Sequence, residues 1–268
     1  MTELTHPAQG LLDEPDGFRI VVEPARERAD IILERPPLNV VSMRERDQLC
    51  AAFEALDADE RVRVIVLRGT GEHFSSGGDI AGFLTASPEQ LSQLAWNVAA
   101  PERCAKPVIA ANRGYTFGVG FELSLACDFR IASETTLYAL PEQKLGQIPG
   151  SGGSARLQKM VGIARTKDVV LRSRRIGARE ASAWGIVVQC VPDGDLEKAT
   201  DALVDELRTF SPLAQRTAKR LLNDGENSPL SVAIEMEGHC YSRLRASDDF
   251  REGVAAFKEK RKAMFRGS

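Results

Sequence analysis

The chain has 268 residues, 43% of them hydrophobic and 27% charged, with a net charge of -3. That length suits one large domain or two small ones with a sizeable core, and the slight negative balance gives no general attraction to nucleic acid or to anionic membranes. Five cysteines (Cys50, Cys104, Cys127, Cys190, Cys240) and three histidines (His6, His73, His239) are scattered along it. With no C-x-x-C pair and no His cluster, the spacing predicts reduced structural thiols and no metal site.

Residues 1–17 hold acids and prolines but no apolar run. They predict a loosely ordered tail over 1–15, neither signal peptide nor membrane segment, and by default a cytoplasmic location. Residues 18–23 alternate apolar and polar, 29–33 read as a partner strand, and the polar stretch 24–28 reads as the hairpin turn between them. Arg35-Pro36-Pro37-Leu38-Asn39 cannot be regular structure. Ser42-Met43-Arg44-Glu45 is a capping box, with Leu49, Phe53 and Leu56 following at helical spacing until 57–60 ends the helix. Residues 62–67 form a nearly continuous apolar run, as in a buried parallel strand.

A Gly/Ser-rich loop over 69–79 follows. Ser87-Pro88-Glu89-Gln90 then opens a helix with a cap and a proline at its first position. Residues 107–111 read as a second buried strand, 114–120 as a turn feeding a helix from Phe121, and 137–140 as a third strand. A second glycine-rich turn spans 146–153, with a helix after it. From about Ala164 the chain reads as helical, with Leu196, Ala199, Leu203 and Leu207 on one face, a helix started by Ser211-Pro212, and a last helix over 248–264. Strands alternating with helices and then a run of helices predict an α/β core with a helical C-terminal region.

Three segments place backbone N–H groups or a carboxylate beside a strand end: Phe74-Ser75-Ser76-Gly77-Gly78-Asp79, then Gly114 to Glu122, then Pro141 to Gly150. Glycine-rich turns of this kind ordinarily serve the backbone alone, and Gly118-x-Gly120 lacks the third glycine of a dinucleotide fingerprint. Glu122 is less ordinary. It stands in the first turn of a helix whose neighbours Phe121, Leu123, Leu125, Ala126 and Cys127 are apolar. An acid there either serves the helix dipole or is a buried functional group, and sequence leaves both open. Glu142 reads as a solvated loop acid or as the second member of a carboxylate pair sharing one water.

KPVIAANRGYTFGVGFELSLACDFRIASE and ALPEQKLGQIPGSGGSARLQKMVG, over 106–162, resemble the signature region of the crotonase (enoyl-CoA hydratase/isomerase) superfamily. RPPLNVVS resembles its coenzyme-A-wrapping segment, FSSGGDI its first oxyanion loop, and EGVAAFKEKRKAMF its C-terminal helix, so the likeness runs from about 18 to 265 in the family's order. GYTFGVGFEL and ALPEQKLGQIPGSGG are also similar to carnitinyl-CoA dehydratase-like members, which admits a branched or polar acyl group.

The resemblance implies an α/β crotonase fold: a spiral of ββα turns over 16–200, then a helical oligomerisation region over 201–268 forming a homotrimer or a hexamer of two trimers. It implies a lyase hydrating a 2-enoyl-CoA to a 3-hydroxyacyl-CoA, or the reverse, with no metal or redox cofactor and with coenzyme A entering as part of the substrate. Catalytic Glu122 and Glu142 carry over by position, as do oxyanion donors in the backbone N–H of Gly78 and Val119. Implied CoA contacts are Pro37, Leu38, Asn39, Val40, Ser76, Gly77, Asp79 and Ile80, with Phe257 and Lys260 expected from a neighbouring subunit. Both acids favour hydration over the alternative, an isomerase of the same family. A nucleic-acid-binding homologue has only the small cluster Arg172, Arg174 and Arg175 behind it. Val119 stands where the family commonly has glycine, and Arg113 where Asn is frequent. Tyr115, Phe117, Phe121, Tyr138 and Trp96 are candidates for a bulky acyl pocket, with core packing expected for most of them.

Overall fold

Short apolar runs build the central sheet. In the computed structural model, which describes residues 12–268, β1 (Phe18–Glu23) pairs antiparallel with β2 (Arg28–Leu33), Phe18 opposite Leu33. Parallel strands β3 (Val64–Gly69), β4 (Val108–Asn112), β6 (Phe129–Ser133) and β9 (Gln189–Val191) extend it into a six-stranded sheet of order β1-β2-β3-β4-β6-β9. A three-stranded sheet holds β5 (Tyr115–Phe117), β7 (Leu137–Ala139) and β8 (Ile176–Gly177). After β4 and again after β6, the chain steps at once from the large sheet to the small one, which is how the spiral winds. This is the crotonase architecture expected from the sequence.

Helices α1 (Met43–Ala58), α2 (Ile80–Thr85), α3 (Pro88–Val98) and α4 (Ala100–Arg103) cover the first turns. Next come α5 (Val119–Ala126), α6 (Gly153–Val161), α7 (Ile163–Leu171), α8 (Ala178–Ala183) and α9 (Leu196–Leu207). The C-terminal helices are α10 (Pro212–Gly225), α11 (Leu230–Leu244) and α12 (Asp248–Glu259). Both capping boxes form: Ser42 Oγ accepts from Glu45 N at 3.0 Å, and Ser87 Oγ from Gln90 N at 3.3 Å. Leu49, Phe53 and Leu56 of α1 pack on Ile31, Leu33, Ile65 and Leu67 of the sheet, while Phe121 and Leu125 of α5 pack with Tyr138, Leu140 and Leu157.

Several elements depart from the sequence reading. Phe129–Ser133 is a central strand that periodicity missed, because Arg130 interrupts its apolar run. That arginine is buried, and it donates to Cys127 O and Ile186 O at 2.6 Å each, closing the carbonyl end of α5. Residues beyond 164 are not helical throughout, since β8 and β9 intervene; two and three residues are too short to show a period. Residues 115–117 are a strand rather than a turn, and α5 begins at Val119, not Phe121. The last helix ends at Glu259 rather than Met264. Lys260 takes φ +54°, and Glu252 holds the returning tail by accepting from Arg261 at 2.6 Å and from Met264 N at 2.7 Å. The expected tail over 1–15 lies mostly outside the described residues. No helix among the described residues is long and apolar enough to cross a membrane.

One buried cation ties the C-terminal helices to the spiral. Lys219 of α10 bridges Asp128 at 2.7 Å and donates to Pro101 O at 2.8 Å and Lys106 O at 2.9 Å. Asp128 in turn accepts from Val108 N at 2.7 Å. Removing one partner of such a pair leaves an uncompensated charge. Lys219→Met should cost about 3 kcal/mol in urea denaturation, and adding Asp128→Asn should recover most of the loss. A Lys219→Met midpoint equal to wild type would show the pair to be immaterial.

Candidate active site

Three pieces of irregular chain meet at one cleft, each pinned by backbone bonds. Residues 74–79 run beside β5, with Phe74 N donating to Arg113 O at 2.8 Å, Ser75 N to Tyr115 O at 2.9 Å, and Phe117 N to Ser75 O at 3.0 Å. On the other side the same loop takes the strap 37–41: Ser76 N donates to Leu38 O at 2.8 Å, Val41 N to Gly77 O at 2.9 Å, and Asp79 N to Val41 O at 3.0 Å. The N–H groups flanking Gly78 are thus engaged, since that of Gly77 bonds Ser75 Oγ at 3.2 Å. No acceptor among the described residues takes the N–H of Gly78 itself.

The third piece is the turn into α5. Gly118 adopts φ +49° and ψ -125°, a conformation that side-chain-bearing residues avoid, and it donates to Ala139 O at 3.0 Å. The turn leaves Val119 at the first helical position, where an N–H has no intrahelical partner, and no described residue accepts from it. Gly77 Cα packs within 3.7 Å of the point where a Gly118 Cβ would stand. The loop of Gly78 and the turn of Val119 therefore lie against each other, each with an N–H that no described residue engages.

The acids flank the same turn. Glu122, one helical turn after Gly118, is 3% exposed. Its Oε1 accepts from Ser151 N at 2.8 Å and from Gly153 N at 3.1 Å. Gly153 is glycine by necessity, since a Cβ there would meet Glu122 Cγ at 2.9 Å. Glu142 begins the 3-10 turn Glu142–Leu145, and its Oε1 would lie 3.1 Å from a Cβ on Gly118. Its Oε2 is buried and bonded to no described residue. Burial first, and then the charge of Glu122, pushes the Glu142 carboxyl up to about 7. Glu122 is thus held by two backbone donors, while Glu142 keeps a buried, unbonded oxygen and a raised pKa.

The remaining expected residues divide. Pro37 and Leu38 are exposed, while Val40, Ser76 and Asp79 are half-buried along the strap and loop; Gly77 is buried, and Ile80 is exposed at the rim. Asn39 is buried, and its amide is used inside the protein: Nδ2 donates to His73 O at 2.7 Å and Thr70 O at 3.0 Å, and Oδ1 accepts from Arg35 N at 3.0 Å. Its side chain holds the strap in place. The Asp79 carboxylate caps α2, accepting from Ala81 N at 3.1 Å. Phe257 and Lys260 lie at the end of α12, with no hydrogen bond or ion pair to 37–41 among the described residues, and Phe257 is exposed beside Tyr241 and Phe265.

Tyr138 and Phe121 are fully buried with ring centroids 4.8 Å apart, Tyr115 and Phe117 stack at 4.7 Å under Arg175, and Trp96 lies under Arg103. Two features were missed in the sequence. The donors Ser151 and Gly153 sit in a turn whose glycines were noted without a partner in view. Arg46 occupies a core position of α1, and its spacing of three residues from Leu49 was the available signal. Among the described residues no grouping of His, Cys, Asp and Glu could hold a metal ion.

Comparison with known proteins gives the family of the chain. Residues 27–268 match the family model described as "Enoyl-CoA hydratase/isomerase". The chain is 41% identical over 245 residues to a probable enoyl-CoA hydratase of Rhizobium meliloti, covering 88% of this chain and 93% of that protein. It is 34% identical over 254 residues to carnitinyl-CoA dehydratase of Escherichia coli, covering 89% and 94%. The crystal structure of an enoyl-CoA hydratase from Bacillus anthracis superposes with a TM-score of 0.88 at 33% identity, covering 94% of this chain and all of that one. With its fold, its loops and nearly its whole length in common with these proteins, the chain belongs to the enoyl-CoA hydratase/isomerase family.

Proposed function

We propose that the protein hydrates 2-enoyl-CoA thioesters to 3-hydroxyacyl-CoA, or catalyses the reverse dehydration, through an enolate held in the cleft between Gly78 and Val119. The N–H groups of these two residues donate to the thioester oxygen as it gains charge, with the N-terminus of α5 behind them. Donors of this kind are each worth roughly 3–4 kcal/mol in the transition state. Glu122, as carboxylate, takes a proton from the attacking water while oxygen bonds to Cβ. Glu142, as neutral acid, delivers a proton to Cα. Passage of the proton gained by Glu122 to Glu142 restores the pair, so in net water supplies one hydrogen and the hydroxyl; nothing is oxidised or reduced, the scheme uses no metal or redox cofactor, and coenzyme A enters with the substrate. The single observation carrying this reading is the contrast between Glu122, bonded by two backbone N–H groups, and Glu142, with a buried unbonded oxygen and a raised pKa. A homotrimer, or a pair of trimers, fits helix α11, which has no buried residue and exposes Leu230, Ile234 and Tyr241.

Glu122→Gln and Glu142→Gln should each lower kcat for crotonyl-CoA hydration by ~10²–10⁴-fold, with the double variant far from multiplicative and CoA-ester binding retained. Near-full hydration by Glu122→Gln sinks the two-carboxylate mechanism. A mild Glu122→Gln effect with double-bond migration abolished in Glu142→Gln instead marks an isomerase.

Because hydration needs one proton on the acid pair, carried by Glu142, kcat/KM for hydration should be level below about 7 and fall above it, and kcat/KM for dehydration should fall in parallel, since the overall equilibrium takes up no proton. That limb should vanish from the residual rate of Glu142→Gln. A hydration rate that climbs through pH 7 reverses the assignment.

In light scattering the purified chain should give three or six copies. A monomer at micromolar concentration would contradict the assembly.

A further inference from the structure

A second charged group stands in the cleft, and the reaction just proposed does not use it. Arg46 lies on the buried face of α1 and is 3% exposed. Its Nε is buried without a hydrogen-bond partner, and among the described residues no carboxylate lies within ion-pair distance of its guanidinium. What surrounds it belongs to the site. The guanidinium stands 4.9 Å from the ring centroid of Phe83 on α2. Its Nη2 fills the space a Cβ on Gly78 would need, and the Phe83 ring lies 3.2 Å from that same point. Gly78 is therefore glycine partly because the guanidinium packs on its Cα. Glu122 is the strongest of the carboxylates whose charge reaches Arg46, ahead of Glu45 and Asp47.

A guanidinium stays ionised in proteins, and a buried one without a partner is destabilising unless a ligand completes it. Its planar fork matches a carboxylate in two parallel bonds, and it stands beside Gly78, whose N–H the proposed reaction uses. Leu49, Phe53 and Leu56, which continue the same helical face, are aliphatic or aromatic and meet only core.

We infer that Arg46 is a specificity residue that receives a carboxylate at the far end of the acyl chain, so that the preferred substrates are CoA monothioesters of dicarboxylic acids. This rests on the reading of the cleft as an acyl-CoA site and narrows its substrate class. Phe83 shields the pair from water, and the fixed helix α1 sets the length of acyl chain that reaches it.

The test is calorimetric binding of saturated thioesters to the purified full chain, which does not depend on turnover. Succinyl-, glutaryl- and adipyl-CoA are compared with butyryl-, valeryl- and hexanoyl-CoA for wild type, Arg46→Met and Arg46→Lys. Wild type should bind at least one diacid thioester about 10-fold or more tightly than its neutral counterpart. Arg46→Met should cut that ratio by at least ~30-fold, the loss typical of removing one partner of a buried charge pair. Arg46→Lys should fall between, since a point charge lacks the fork. Should Arg46→Met not fold, the wild-type and Arg46→Lys ratios decide. The inference is overturned if wild type prefers the neutral ester at every length, or if Arg46→Met weakens both ester classes equally. Crotonyl-CoA hydration by wild type, measured alongside, separates the two claims. Loss of the ratio with hydration intact sinks only the role of Arg46. A clear ratio without hydration sinks only the hydratase reading.

Discussion

Helix Val119–Ala126 has no solvent-facing side, and Glu122 is the single carboxylate on it. An acid so placed must find donors inside the protein, because burying an unbonded carboxylate is far costlier than burying a bonded one. The donors are the N–H groups of Ser151 and Gly153, which lead into the following helix. That requirement sets the path of residues 146–153, brings Gly153 against the Glu122 side chain, and turns the loop that carries Glu142 toward Gly118. The position of the second acid thus follows from satisfying the first.

The same logic runs through the strap and the oxyanion loop. Backbone bonds from Ser76, Val41 and Asp79, with the buried amide of Asn39 beneath, hold these segments, and within the loop 74–79 the N–H of Gly78 is the one that no described residue accepts. Preorganisation of this kind means that little reorganisation is needed when charge develops on the substrate oxygen. Beside Gly78 stands the buried guanidinium of Arg46. The carboxyl of Glu142 is raised by burial and by Glu122, while burial pulls the Arg46 guanidinium down and Glu122 partly restores it.

Much of this was legible in the chain. The capping boxes at Ser42 and Ser87, the apolar strands and the motif order gave the fold class, because those signals are local. Glu122 could be picked out since its neighbours are apolar, but its donors could not, because Ser151 is distant in sequence and offers only a backbone group. Strand Phe129–Ser133 was hidden by a buried arginine that serves the helix before it, and Gln189–Val191 by its shortness. Asn39 was expected along the coenzyme-A strap, and its side chain also braces that strap from within, a role that only the carbonyls of Thr70 and His73 reveal. Arg46 falls in register with Leu49 and Phe53 on a core face, a contradiction visible in the sequence whose meaning needed the position of Gly78.

The account turns on one acid being neutral where its neighbour is held as an acceptor, and the protonation state of Glu142 can be observed without turnover. Infrared difference spectra of the free enzyme, titrated from pH 4 to pH 9 with Glu142→Gln as the reference, isolate its carboxyl band. The expected result is a carboxyl that loses its proton near pH 7, as its burial beside Glu122 requires, and that is missing from the variant. A Glu142 band that titrates in the ordinary glutamate range, at about 4.3, would contradict the division of labour between the two acids.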